Sequence, residues 1–162
     1  MTHNDNTSPV YALTKRHEDI ASAIYTSAGV CLPENPVVSD DDTSIRWVKA
    51  LWDTGATNSS ISDRLASEMD MPFEDYVRIS TAMGNARVPI YPVRLFLPNR
   101  VVFDEIEAIE FTYSEDDDCD LIIGMDIMTQ GDLAMTNLEG RTVFSFRIPS
   151  LHTVDFEAEH TV

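Results

Sequence analysis

Val48-Lys49-Ala50-Leu51-Trp52-Asp53-Thr54-Gly55-Ala56 is the stretch on which the reading of this chain turns. Ile45, Trp47, Lys49 and Leu51 fall on one face of an extended segment, with Val48, Ala50 and Trp52 on the other, the period of a strand. That strand runs directly into Asp53, and Gly55 marks a turn. Asp-Thr/Ser-Gly alone arises by chance in about one chain in ten of this length, so the context carries the weight. Further along, Leu121-Ile122-Ile123-Gly124-Met125-Asp126 delivers a second apolar strand into a glycine.

Working outward, Ser60 with Asp63 three residues later resembles a capping box and predicts a short helix to about Met69. Segments 77–82 and 87–96 flank Met83-Gly84-Asn85-Ala86, a hairpin signal because Gly supplies positive φ in the turn. Pro89 and Pro92 cannot donate to a ladder, which predicts an edge or exposed position for the second arm. Segments 101–103, 106–113 and 121–123 read as strands. Asp126 is placed to cap a helix of one or two turns that Gly131 ends. Segments 133–136 and 142–147 form a closing hairpin around Asn137-Leu138-Glu139-Gly140. Residues 20–33 read as a strand rich in small residues, although Leu13, Ile20 and Ile24 also fit one helical face. Residues 1–18 are polar and predicted to be disordered, 19–149 form the domain, and 150–162 are an acidic, poorly ordered tail. Short strands, frequent turns, one or two short helices and no internal repeat give a mostly-β domain.

The 162 residues suit one domain, and 43% hydrophobic residues suffice for a core. No apolar run reaches the length of a membrane-spanning helix, and 20–33 follows His17-Glu18-Asp19 rather than the basic start of a signal peptide. Eleven basic against 28 acidic residues give a net charge of −17, which repels phosphate backbones and argues against nucleic-acid and membrane partners. Cys31 and Cys119 form no metal-type pair and do not demand a disulfide, so a reducing, cytoplasmic setting is the simpler expectation. Acidic neighbours make Cys119 a poor thiolate. The four histidines, His3, His17, His152 and His160, lie near the termini and suggest neither a triad nor a metal site. The acidic runs at 40–42 and 115–120 lack the alternating spacing and glycine of a calcium loop and read as solvated loops.

Taken together, Leu51-Trp52-Asp53-Thr54-Gly55-Ala56 and Ile122-Ile123-Gly124-Met125-Asp126 resemble the two signatures of the retropepsin-like aspartic proteases, in order and spacing across 45–147. The resemblance implies a single-lobed acid-protease β-barrel, with the hairpin around Met83 as the substrate-covering flap. It implies an aspartic endopeptidase acting as a homodimer on a peptide or protein substrate, with no metal or other cofactor. Hydrolysis of this kind needs one carboxylate to deprotonate water and another acid to protonate the carbonyl oxygen, and two like carboxylates sharing a proton supply both. The resemblance implies that Asp53 of each chain provides one. Thr54 would tie the two loops across the two-fold axis, and Gly55 would leave room for substrate backbone. Ala56, Thr57, Met83, Gly84, Asn85, Ile123 and Gly124 are the expected substrate-binding residues.

Thr57 and Met125 stand where viral members usually carry an acid and an Arg that brace the dimer. That ion pair is absent, which leaves the hairpin at 133–147 as the expected brace. Two other readings stay open. Asp53 could be a turn residue, or the domain could dimerise or bind peptides without hydrolysis. A metal hydrolase would need a central His, which the chain lacks.

Overall fold

Alternating apolar residues broken by Gly, Pro and Asp clusters dictate short strands, and strands dominate the fold. The computed structural model describes residues 9–36, 43–81, 84–116 and 118–159. Ten strands are formed among the described residues: β1 (Tyr11–Arg16), β2 (Ile24–Cys31), β3 (Arg46–Trp52), β4 (Ser60–Ser62), β5 (Asp75–Thr81), β6 (Gly84–Phe96), β7 (Val102–Phe111), β8 (Leu121–Ile123), β9 (Asp132–Thr136) and β10 (Val143–Ile148). The helices α1 (Asp63–Glu68), α2 (Met125–Met128) and α3 (Phe156–Glu159) are short.

Seven strands form a sheet in the order β2-β3-β8-β4-β7-β6-β5, and β2 also pairs with β6. That extra pairing closes six of them into a barrel and leaves β5 outside as one arm of a hairpin. Val30, Ala50, Ile61, Val93, Leu95, Leu121 and Ile123 fill its interior with no exposed surface. The remaining strands form a second sheet, β1-β10-β9. Trp52 joins the two sheets: its ring centroid lies 5.0 Å from those of both Phe144 and Phe146. Its indole N–H donates to Thr26 Oγ1 at 3.0 Å, so the buried ring leaves no polar group unpaired.

The fold differs from the sequence reading in several places, each for a local reason. Residues 11–16 are not disordered; they form β1, paired along its length with β10. The cap of α1 is Ser62, whose Oγ accepts from the Leu65 N–H at 3.0 Å. Ser60 is instead drawn into β4 between β7 and β8. β6 has the expected edge and exposed character only at its start, before Ile90, and is part of the barrel after that. Its start pairs with β5 through Ile90, and pairing with β7 begins there. Pro89 and Pro92 therefore each lie where β6 has one neighbour, and neither missing N–H interrupts two ladders. The two strands read at 101–103 and 106–113 are one, β7, opposite an irregularity at Val93/Leu95 of β6. Thr81 pairs with Gly84, so the hairpin turns before the Gly-Asn pair, and Met83 lies outside the described residues. Gly131 owes its place to close approach, since a Cβ there would collide with the Arg147 carbonyl oxygen.

The acidic tail is also tied down at its start. Asp132 accepts hydrogen bonds from the Leu151 N–H at 2.9 Å, the Ser150 hydroxyl and the Arg147 guanidinium at 2.8 Å. The Leu151 amide, the hydroxyl and the guanidinium hold the Asp132 carboxyl well below the usual carboxylate range.

Candidate active site

β3 and β4 are consecutive in the chain, yet β8 lies between them in the sheet. The connection at 53–59 must therefore arch over the end of β8, where α2 begins. Parallel pairing of Trp52 with Ile123 brings Asp53 and Gly124 out of neighbouring strands side by side. The Asp53 N–H continues the ladder onto the Ile123 carbonyl at 3.0 Å. On the far side of the arch, the Met125 N–H donates to Ala56 O at 2.9 Å and the Asp126 N–H to Thr57 O at 3.1 Å.

Gly124 must be glycine for steric reasons, because a Cβ would lie 2.6 Å from the Asn58 carbonyl carbon and 2.9 Å from the Ser59 nitrogen. Its N–H donates to Ser59 Oγ at 3.1 Å. That hydroxyl in turn donates to Asp126 Oδ1 at 2.8 Å, and the Ser59 N–H to Oδ2 at 3.0 Å. Ser59 is fully buried, and this network satisfies it. Asp126 thus sits in the first turn of α2 as a bridge, and the helix cap is Gly124 rather than Asp126.

At the head of the arch, Asp53 Oδ1 accepts the Gly55 N–H at 2.8 Å, and the Asp53 carbonyl accepts the Ala56 N–H at 3.1 Å. Thr54 and Gly55 are exposed. A cavity of about 240 Å³ opens beside Asp53 and Thr54, walled by Ile24, Trp52, Leu133 and Phe144 among others. At the other end of β8, β4 and α1 are held by Asp120. Its carboxylate accepts Ser62 Oγ at 2.7 Å and the Arg64 guanidinium at 2.6 Å. Burial pushes the Asp120 carboxyl up, but the bonds from Arg64 and Ser62 outweigh it and hold it below the usual range. Asp120 is therefore a structural partner rather than part of a solvated acidic loop.

Of the residues singled out from sequence, Asp53, Thr54, Gly55, Ala56 and Thr57 come together in the arch. Ile123 and Gly124 do not present a surface to a ligand: Ile123 is wholly inside the core and Gly124 lies beneath Asn58. Their part is to hold the arch. Gly84, with a φ of 119° that favours glycine, and Asn85 are exposed in the β5–β6 hairpin. The bridge between Ser59 and Asp126 escaped the sequence reading. The only trace was a Ser/Thr/Asn run after Gly55 and an acid two residues after Gly124, which local patterns assign to turns and caps. Among the described residues no three His, Cys, Asp or Glu side chains cluster as metal ligands.

A family profile described as gag-polyprotein putative aspartyl protease matches residues 45–130, which include the arch, the hairpin and the crossing at Gly124. The fold is similar to that of a retropepsin-like aspartic protease from Rickettsia conorii, at 9% identity over 86% of this chain and 95% of that one, with a TM-score of 0.51. EIAV protease complexed with the inhibitor HBY-793 is 16% identical over 66% of this chain and 86% of its own, with a TM-score of 0.46. The simian foamy virus (mac) protease is 17% identical over 65% and 92%, with a TM-score of 0.43. No curated protein sequence matches the chain.

Proposed function

This chain belongs to the gag-polyprotein putative aspartyl protease family, and from that premise we propose that it is an aspartic endopeptidase whose site is assembled by two copies around Asp53. One observation carries the reading: Asp53 stands at the end of β3, on an arch locked by the Gly124 crossing, beside an open cavity. The Gly55 N–H donates to Oδ1, which orients the Asp53 carboxylate and leaves it acceptor capacity for a shared proton. One Asp53 carboxylate takes a proton from water while the other, protonated, gives its proton to the peptide carbonyl oxygen. The water oxygen bonds to the carbonyl carbon; the carboxyl that took the water proton gives it to the nitrogen, the other carboxylate takes a hydroxyl proton back from the adduct, and the C–N bond breaks to release the amine and the carboxylic acid. Thr54 tethers the two loops, Gly55 admits the substrate backbone, Ala56 and Thr57 flank it, and the hairpin bearing Gly84 and Asn85 covers it.

The homodimer follows from counting. The chain holds one Asp-Thr-Gly, and two carboxylates are needed. β9 supports this arrangement, since it is one edge of its sheet and exposes Leu133 and Met135. Those two residues also wall the cavity beside Asp53, so the edge and the site are continuous.

Purified wild type and Asp53→Asn are compared on a peptide library across pH, with and without a statine-type inhibitor. Asn keeps the shape and removes the shared-proton chemistry. Hydrolysis should fall by orders of magnitude with an unchanged circular dichroism spectrum, and wild type should show a bell-shaped pH profile that the inhibitor abolishes. Comparable activity in the variant would sink the reading.

A further inference from the structure

The chain has two lysines, Lys15 and Lys49, and the fold brings both to one tyrosine. Lys15, on β1, donates its ammonium to the Tyr25 carbonyl at 2.6 Å. Lys49, on β3, places Nζ 4.3 Å from the centre of the Tyr25 ring. Pairing of Ser27 with Lys49 and of Gly29 with Trp47 puts Trp47, Lys49, Ser27 and Tyr25 on one face of the β2–β3 hairpin. Trp47 is 44% exposed there. With Lys15 these side chains line an open groove of about 440 Å³.

Two like charges converge here in a chain whose net charge is −17. Their one ion-pair partner among the described residues is Asp118, 3.7 Å from Lys49 Nζ, with both side chains well exposed. Such a loose surface pair is readily exchanged for another carboxylate. An exposed tryptophan two residues from Lys49 on the same strand face offers an apolar plate with a charge at hand, the kind of surface that anchors a partner. Compact ammonium charges accept carboxylates without the fork geometry that guanidinium imposes.

We infer that this groove binds an acidic linear peptide segment, with carboxylates on Lys15 and Lys49 and an apolar side chain against Trp47. None of the lining residues belongs to the arch at 53–59, so the inference is independent of hydrolysis at Asp53.

Binding of acetyl-EDFED-amide and its neutral counterpart acetyl-QNFQN-amide to the full chain tests it. The readout is tryptophan emission and acrylamide quenching, with Trp47 reporting because Trp52 is only 7% exposed. The acidic peptide should bind saturably, protect Trp47 from quenching and weaken as salt rises. Lys15→Gln/Lys49→Gln should bind at least tenfold more weakly. Arg100→Gln/Arg141→Gln, which removes two exposed cations elsewhere, should bind as wild type does. Glutamine can still donate to the Tyr25 carbonyl. Should the double variant misfold, Lys49→Gln alone should show at least a threefold loss. Equal affinity for the neutral peptide, no saturable binding, retention of affinity in the lysine variants, or equal loss in the arginine variant would each overturn the inference.

Discussion

Ser59 and Asp126 form a closed exchange across the site: the serine gives both its hydroxyl and its amide hydrogen to the two oxygens of one carboxylate, at 2.8 and 3.0 Å. Ser59 Oγ also accepts the Gly124 N–H, so one buried hydroxyl links the arch that bears Asp53 to the strand end beneath it. In this chain that link binds the two signature segments within one copy.

Removing one end should therefore loosen the arch. Asp126→Ala strands a buried amide and hydroxyl, which costs about 1–3 kcal/mol. Urea denaturation should show a loss in that range, with Ser59→Ala losing less because it strands one buried donor, the Gly124 N–H, rather than two. If Asp53 is catalytic, both variants should lower kcat more than they raise KM, since they displace the reacting group rather than the substrate's binding surface. Stability equal to wild type in Asp126→Ala would contradict the role given to the bridge.

Gly124→Ala places a methyl where backbone already stands, 2.6 Å from the Asn58 carbonyl carbon. No rotamer relieves a clash with backbone, so the arch must shift. The expected destabilisation is about 1–3 kcal/mol, read by thermal melting. Gly84→Ala meets open space but keeps a φ of 119°, so it should strain only the hairpin. Melting of Gly124→Ala at the wild-type temperature would show that the crossing is slack.

The anchor of the tail predicts a pH dependence. Hydrogen bonds from Leu151, Ser150 and Arg147 depress the Asp132 carboxyl below its ordinary value of 3.8. A depressed carboxyl contributes stability that is complete above the unfolded value and is lost as pH falls through the folded one. The tail start should thus stay docked at neutral pH and down to about pH 4, and detach only below it. Hydrogen exchange at the Leu151 amide should accelerate, relative to an unstructured peptide, only in that acid range. Asp132→Ala, which has no acceptor, should show the fast exchange at every pH. A protected Leu151 amide in Asp132→Ala would refute the anchor.

If two copies share the site, specific activity should fall on dilution through the dimer dissociation constant. Asp53→Asn added in excess should poison wild type by forming mixed dimers with one carboxylate. Met135→Asp puts a charge on the exposed edge strand β9, where Met135 is 54% exposed, and should weaken association at least tenfold with little effect on the fold. Sedimentation velocity and activity at matched concentrations check all three. A fully active monomer, unaffected by excess Asp53→Asn, would refute the shared site.

The sequence by itself determined that the chain is mostly β, that an apolar strand ends in Asp53, that a second ends in Gly124, and that each occurs once. Those features are local. Alternation, turn residues and a glycine at a strand end act over a few positions, and the chain order of the two signatures needs no coordinates. The tertiary structure alone decided what lies against what. Ser59 meets Asp126 across 67 positions, Ser62 meets Asp120 across 58, and Lys15 and Lys49 meet at Tyr25. The insertion of β8 between β3 and β4 selects the first two pairings, and the packing of β1 beside the β2–β3 hairpin selects the third. The same cause turned a tail and a start that look unstructured into anchored segments, since β1 gains order from β10 and the tail from Asp132. Hydrogen bonds of this kind depend on sheet register, which the whole set of buried side chains settles together and no short stretch encodes.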